Sequence, residues 1–162
     1  MNFTVERMSP RDWDAVKAIY REGISMGIAT FEKDVPVWEE WDRSHLSGLR
    51  LVARASDKVV GWAALSPVSG RCVCAGVAEV SLYVSSSARG KGVGRALLQA
   101  LVRGSEESGI WTLQAGIFPE NVASTAVHES CGFRRVGVRE KLGQLDGVWK
   151  DVVLMERRSR RI

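Results

Sequence analysis

The chain has 162 residues, 45% of them hydrophobic and 26% charged, with a formal net charge of +4. That balance is one of a soluble globular protein, long enough to bury a core without staples. No apolar run reaches membrane-spanning length. Most of the positive charge sits in the terminal Arg157, Arg158, Arg160 and Arg161, so neither a membrane nor a nucleic-acid partner is expected.

The amino terminus shows no leader pattern. Cys72, Cys74 and Cys131 are an odd number without metal-ligand spacing, which points to reduced thiols, no metal and a cytoplasmic location. Residues 157–162 are expected to form a solvated basic tail.

Residues 2–7 read as a short first strand. Ser9, Pro10 and Asp12 open a helix as cap, first helical residue and first-turn acid. Trp13, Val16, Ile19, Tyr20 and Ile24 form its buried stripe, and Gly23 and Gly27 end or loosen it. Residues 26–35 follow neither period yet carry Ile28, Thr30 and Phe31, as a packed loop or pocket wall does. A second helix starts near Asp34 and Pro36, with Trp38 and Trp41 on one face and His45 an ordinary helix residue beyond. Arg50–Arg54 and Lys58–Leu65 pair as a hairpin around Ser56-Asp57.

After a looser connection at 66–70, a long strand runs to Val84, with Val80, Leu82 and Val84 alternating against Glu79, Ser81 and Tyr83. A helix follows, its apolar stripe at Val93, Ala96, Leu97, Ala100 and Leu101. Then come a strand at Trp111–Gly116, a helix at Asn121–Cys131 capped by Gly132, and strands at Phe133–Glu140 and Val148–Glu156 around Asp146-Gly147. The order β-α-α-β-β-β-α-β-α-β-β describes one α/β (α+β) domain over 1–162, a mixed sheet with helices on both faces.

Between the long strand and its helix lies Ala88-Arg89-Gly90-Lys91-Gly92-Val93-Gly94-Arg95. The first N–H groups of a helix lack partners and face an anion along the helix dipole, and three cations surround them here. This is a pyrophosphate cradle. No GxxxxGK[ST] string occurs, and Arg95 stands where a dinucleotide fingerprint needs its third small residue.

Arg89-x-x-Gly92-x-Gly94 fits the [QR]xxGx[GA] pattern of GNAT acyl-CoA-dependent N-acetyltransferases. The later string Asn121, Ser124, His128, Glu129, Gly132 and Phe133 also resembles that family. Ile28–Glu32, Ala78-Glu79 with Ser81 and Tyr83-Val84, and Trp149-Lys150-Asp151 are similar to the phosphinothricin and methionine sulfoximine acetyltransferases. Cys74 departs from that group, which carries an aromatic residue there.

The resemblance implies acetyl-CoA as co-substrate and an amino-acid α-amine as acceptor, joined by direct transfer in a ternary complex. It puts cofactor contacts on Leu82, Val84, Arg89, Gly90, Lys91, Gly92, Val93, Gly94, Arg95, Asn121 and Ser124, although a plain helix cap also explains Asn121. Glu79 becomes the general base. A covered strand would desolvate its carboxylate and favour proton uptake, while the bland alternative is a salt bridge to Arg71. His128 stands where many relatives have a tyrosine acid and can protonate a thiolate or relay a proton. Thr30, Phe31, Arg71, Cys74, Ser81 and Tyr83 are expected at the substrate.

Arg71 would clamp a substrate carboxylate. An unbroken strand leaves it roughly 25 Å from Glu79, so a turn or bulge between them is required, and Gly76 offers a place for one. Cys72 and Cys74 lack a nearby histidine in sequence and are not expected to act as nucleophiles. Apolar and aromatic loop positions at Ile28–Glu32 and Leu142–Trp149 suggest a homodimer. The competing functions are transfer to another small amine or a protein amine, and a non-catalytic CoA-binding sensor.

Overall fold

The computed structural model describes residues 1–162. Its elements are β1 (Thr4–Arg7), α1 (Trp13–Ser25), α2 (Trp38–Ser44), β2 (Arg50–Ala55), β3 (Lys58–Pro67), β4 (Val77–Val84), α3 (Val93–Glu107), β5 (Thr112–Ile117), α4 (Val122–Ser130), β6 (Arg134–Leu145) and β7 (Val148–Arg158). This is the expected order. One seven-stranded sheet runs β1-β2-β3-β4-β5-β7-β6, and only the central β4–β5 pair is parallel.

The two faces of the sheet bury different chemistry. On one, the α3 stripe of Val93, Leu97, Leu98 and Leu101 packs with Ala63, Leu65, Leu113 and Met155 into the larger, aliphatic core. On the other, α1 and α2 bring Val16, Ile19, Tyr20 and Trp41 onto Val52 and Trp62. There Tyr83 stacks on Trp62 at 5.0 Å and on Tyr20 at 4.9 Å, and His45 stacks on Trp41 at 4.3 Å. Alternation along β4 sorts its side chains between these cores, with Leu82 and Val84 against the aliphatic one and Tyr83 against the aromatic one.

Four expectations are corrected. Gly23 does not end α1: it is buried within the helix, and a Cβ there would lie 2.6 Å from Tyr83 Cδ1, so its bareness makes room for the tyrosine ring. The long strand before Val84 is broken, because residues 72–74 form a 3₁₀ turn and β4 begins only at Val77. Gly76 makes no bulge. It lies under Trp111, whose ring atoms would be 2.2–2.4 Å from a Cβ at that position.

The basic end is not a loose tail either. β7 runs to Arg158, and the buried Ser159 donates from Oγ to Glu106 Oε1 at 2.8 Å and from N to Trp111 O at 2.7 Å. Arg157 and Arg161 add ion pairs to the same carboxylate at 3.2 and 3.6 Å. The Ser159 hydrogen bond and these cations hold the Glu106 carboxyl below the usual range and tie the chain end to α3.

Candidate active site

The site begins where two strands part. β4 and β5 pair only over Val77–Glu79 with Thr112–Gln114, and beyond Glu79 no strand covers that edge of β4. Ser85 N–H donates to Val60 O of β3 at 2.8 Å. Backbone groups alternate in direction along a strand, so those of Leu82 and Val84 point the other way, into the opening. Free N–H and C=O groups on a buried edge need a partner.

Just past β4, Gly90 and Gly92 adopt φ of +72° and +82°, a turn that side chains resist. Gly92 caps α3 without a side chain, and the first bond back to it comes from Ala96 N, leaving the N–H groups of Val93, Gly94 and Arg95 without protein acceptors. A Cβ at Gly90 or Gly92 meets no protein atom within 4 Å. Arg89, Lys91 and Arg95 are exposed around them, with Lys91 Nζ donating to Ser87 O at 2.9 Å. The donor set fits a pyrophosphate.

A cavity of about 330 Å³ lies on the other side of the opening. Glu79, Ser81 and Tyr83 of β4, Thr30 and Phe31 of the irregular segment, Asn121 just before α4, and Ser124 and His128 of α4 all line it, as does Leu82. Phe31 meets Phe118 edge to face at 4.8 Å and rests on bare Gly143, where a Cβ would lie 3.1 Å from its ring. Burial pushes the Tyr83 phenol up to about 12, so it faces the cavity neutral.

Asn121 caps α4, its side chain accepting from Ser124 N–H at 3.2 Å. One turn on, His128 is 3% exposed, with Nδ1 2.7 Å from Ser124 O. A carbonyl only accepts, so Nδ1 carries the proton and Nε2 presents a lone pair, and Nε2 has no protein partner. Burial pushes this histidine's pKa down, favouring the neutral ring. With Nδ1 protonated, Nε2 is the nitrogen open to a further proton.

Several expected residues stand elsewhere. Arg71 is exposed and Cys74 half-buried on the 3₁₀ turn before β4, and neither lines the cavity. The structure contains no Arg71–Glu79 ion pair, since the turn ends the shared strand. Glu79 is only half-buried, because it borders the cavity rather than a packed layer.

Other residues escape a sequence reading. Gly116 forms the floor beside Glu79, since a Cβ there would lie 3.9 Å from Glu79 Oε1 and 3.1 Å from Val152 Cγ1. Gln114 and Arg139 also line the cavity. The period-2 pattern of β5 and β6 marks their faces, but only the sheet order brings those faces beside Glu79.

Residues 13–133 match the acetyltransferase (GNAT) family. The phosphinothricin N-acetyltransferase of Alcaligenes faecalis is 35% identical, over 95% of this chain and 81% of that protein. The L-methionine sulfoximine/L-methionine sulfone acetyltransferase of Pseudomonas aeruginosa is 28% identical, over 96% and 94%. A GNAT superfamily phosphinothricin acetyltransferase from Sinorhizobium meliloti, crystallised with acetyl-CoA, superposes with a TM-score of 0.89 at 32% identity, over 98% of this chain and 89% of that one. The chain belongs to the GNAT acetyltransferase family and is an acetyl-CoA-dependent N-acetyltransferase.

Proposed function

We propose that the protein acetylates the α-amino group of a free amino acid or analogue of the methionine sulfoximine and phosphinothricin kind, by direct transfer in a ternary complex. The observation that carries this is one small cavity bounded by a carboxylate, Glu79, and by the open backbone edge of β4. Acetyl-CoA supplies the activated thioester. The N–H groups of Val93, Gly94 and Arg95, with Arg89, Lys91 and Arg95 around them, hold its pyrophosphate. The edge of Leu82 and Val84 holds the pantetheine and directs an N–H at the oxygen that becomes negative. Asn121 and Ser124 border the same passage.

An ammonium must lose a proton before it attacks. Glu79 takes it, directly or through a water, and releases it to solvent after the cycle. The C–N bond forms and the C–S bond breaks. The second nitrogen proton leaves by way of His128 Nε2, which accepts it and returns it to the departing thiolate. That order suits a histidine held neutral. Thr30, Phe31, Ser81 and Tyr83 surround the acceptor. None of the three cysteines lines the cavity, which supports direct transfer over an acyl-enzyme.

The exposed Leu142, Val148 and Trp149 at the β6–β7 tip are what a homodimer would cover. Light scattering that shows a monomer at every micromolar concentration would remove that part of the reading. The acceptor is tested by free-thiol release from acetyl-CoA with free amino acids, methionine sulfoximine, methionine sulfone and phosphinothricin. Turnover confined to these acceptors is expected. Turnover with polyamines or protein amines alone, or with nothing, would overturn the proposal.

A further inference from the structure

We propose that Arg139 binds the carboxylate of the acceptor and so makes the enzyme selective for amino acids over simple amines. This rests on the amino-acid reading above and adds the residue that enforces it. An amino acid brings one positive and one negative group into the cavity. Glu79 suits the first, and Glu32, the other carboxylate of the lining, repels the second. Arg139 is the only lysine or arginine in that lining.

The sheet aims Arg139 at this task. Glu79 pairs with Gln114, Gly116 with Leu154, and Val152 with Arg139. Paired residues share a face, as do residues two apart on a strand, so Arg139 and Glu79 rise from the same side. Between them the floor dips at Gly116, which is bare, and continues over the apolar Leu154 and Val152. The route crosses three strand spacings and four residues of rise, which puts the two Cα atoms about 19 Å apart. Extended toward each other along this floor, the two side chains leave about 8 Å between charged ends. An α-amino acid with an ion pair at each end fills about that span.

Arg139 is also free for the role. Its strand neighbours Arg134 and Arg135 are paired to Glu156 and Glu129, whereas Arg139 makes no ion pair and no side-chain hydrogen bond. The β6–β7 ladder slips immediately after it, between Arg139 and Gly143, with Lys141 at φ +47° and its N–H on Asp151 Oδ1 at 2.8 Å. Such irregularities re-aim side chains beside active sites. The other nearby cation, Lys150, is committed to Glu120 at 3.7 Å and lies 5.8 Å from the centre of the Phe118 ring. A guanidinium, which can hold both oxygens of a carboxylate, is the better clamp.

The test is calorimetric and needs no turnover. L-methionine sulfone and its carboxamide are titrated into CoA-saturated wild-type protein, Arg139→Leu, Arg139→Lys and Arg71→Leu. The wild type should prefer the acid. In Arg139→Leu the acid should bind roughly 10- to 100-fold more weakly while the amide is unchanged, as for a lost charge-assisted contact. Arg139→Lys should recover part of the loss and Arg71→Leu should show none.

Equal loss for acid and amide, or loss of acid selectivity in Arg71→Leu instead, would overturn the clamp. So would a wild type that binds the amide as tightly as the acid, although acetylation of that amide would leave acetyl transfer standing. Arg139-dependent binding of an acid that is never acetylated would keep the clamp and remove the acceptor assignment.

Discussion

The donor cradle is made of consecutive residues, Arg89 to Arg95, and works almost wholly through backbone: two left-handed glycines, three unpaired N–H groups and a helix end. The acceptor cavity draws on Thr30, Glu79, Gly116, His128, Arg139 and Val152, residues spread over most of the chain and joined only by sheet order and helix packing. In the proposed function, one region binds a group whose shape never changes and the other fits whichever amine is acetylated. A backbone cradle tolerates side-chain drift at its edges but not a Cβ at its centre. A cavity of side chains behaves the opposite way, because each position can be exchanged and each exchange alters selectivity or chemistry. Substitutions confined to one region should therefore leave the other's function readable.

The largest expected effect is at Glu79. Replacing Glu79 by Gln keeps the shape beside Gly116 and removes the proton acceptor. The turnover rate at neutral pH should fall by about 10²- to 10⁴-fold, the usual worth of general base catalysis. Acetyl-CoA affinity, measured by calorimetry, should stay near the wild-type value because the cradle is untouched. Near-normal turnover with an unchanged pH profile would make Glu79 a wall residue, and a matching loss of CoA affinity would erase the division between the regions.

Gly92 tests the other side. An alanine Cβ at Gly92 meets no protein atom within 4 Å, so the cost to the fold is the left-handed backbone alone, about 1–2 kcal/mol. That same space is where a phosphate must approach the N–H groups. Acetyl-CoA should bind about tenfold more weakly or worse, at the scale of a charged hydrogen bond. Binding of the acceptor to CoA-saturated protein should not change. Unaltered CoA affinity in a folded Gly92→Ala protein would move the pyrophosphate elsewhere.

The same division explains what could be read from sequence. The cradle was legible because its parts are adjacent: alternation, glycines and a helical stripe follow one another, and local conformation is enough. Glu79, Ser81 and Tyr83 were legible for the same reason, as one face of one strand. Arg139 and Gly116 were not, since nothing local in β5 or β6 says which face meets β4. Arg71 failed differently. The break expected between it and Glu79 is there, as the 3₁₀ turn at 72–74, but the turn leaves Arg71 exposed and outside the cavity lining. Gly23 and Gly76 looked like breakers, yet each is bare because an aromatic ring from another element occupies its side-chain space. The basic end read as solvated because its partner, Glu106, lies about fifty residues earlier on α3.

The smallest effect should appear in stability against pH, and it too separates the regions. His45 and His128 are the chain's two histidines, and burial pushes both pKa values below the ordinary 6.5. Below about pH 6.5 the unfolded chain therefore binds protons that the folded protein refuses. Stability is full above that pH and falls as pH drops through 6.5 toward the folded values. Each histidine contributes a slope of at most about 1.4 kcal/mol per pH unit. Asp12, held low despite its burial by hydrogen bonds from Arg54 and Ser9, and Glu106, held low by Ser159 and its arginines, act only below about pH 4. Urea midpoints between pH 7.5 and 5 should thus decline for the wild type, and by about half as much for His128→Gln. The cradle variant Gly92→Ala should keep the wild-type slope with a lower intercept. A flat profile, or one that His128→Gln does not change, would mean that His128 binds its proton as readily in the folded protein as in the unfolded chain, so that burial would not be what keeps Nε2 open for the proposed relay.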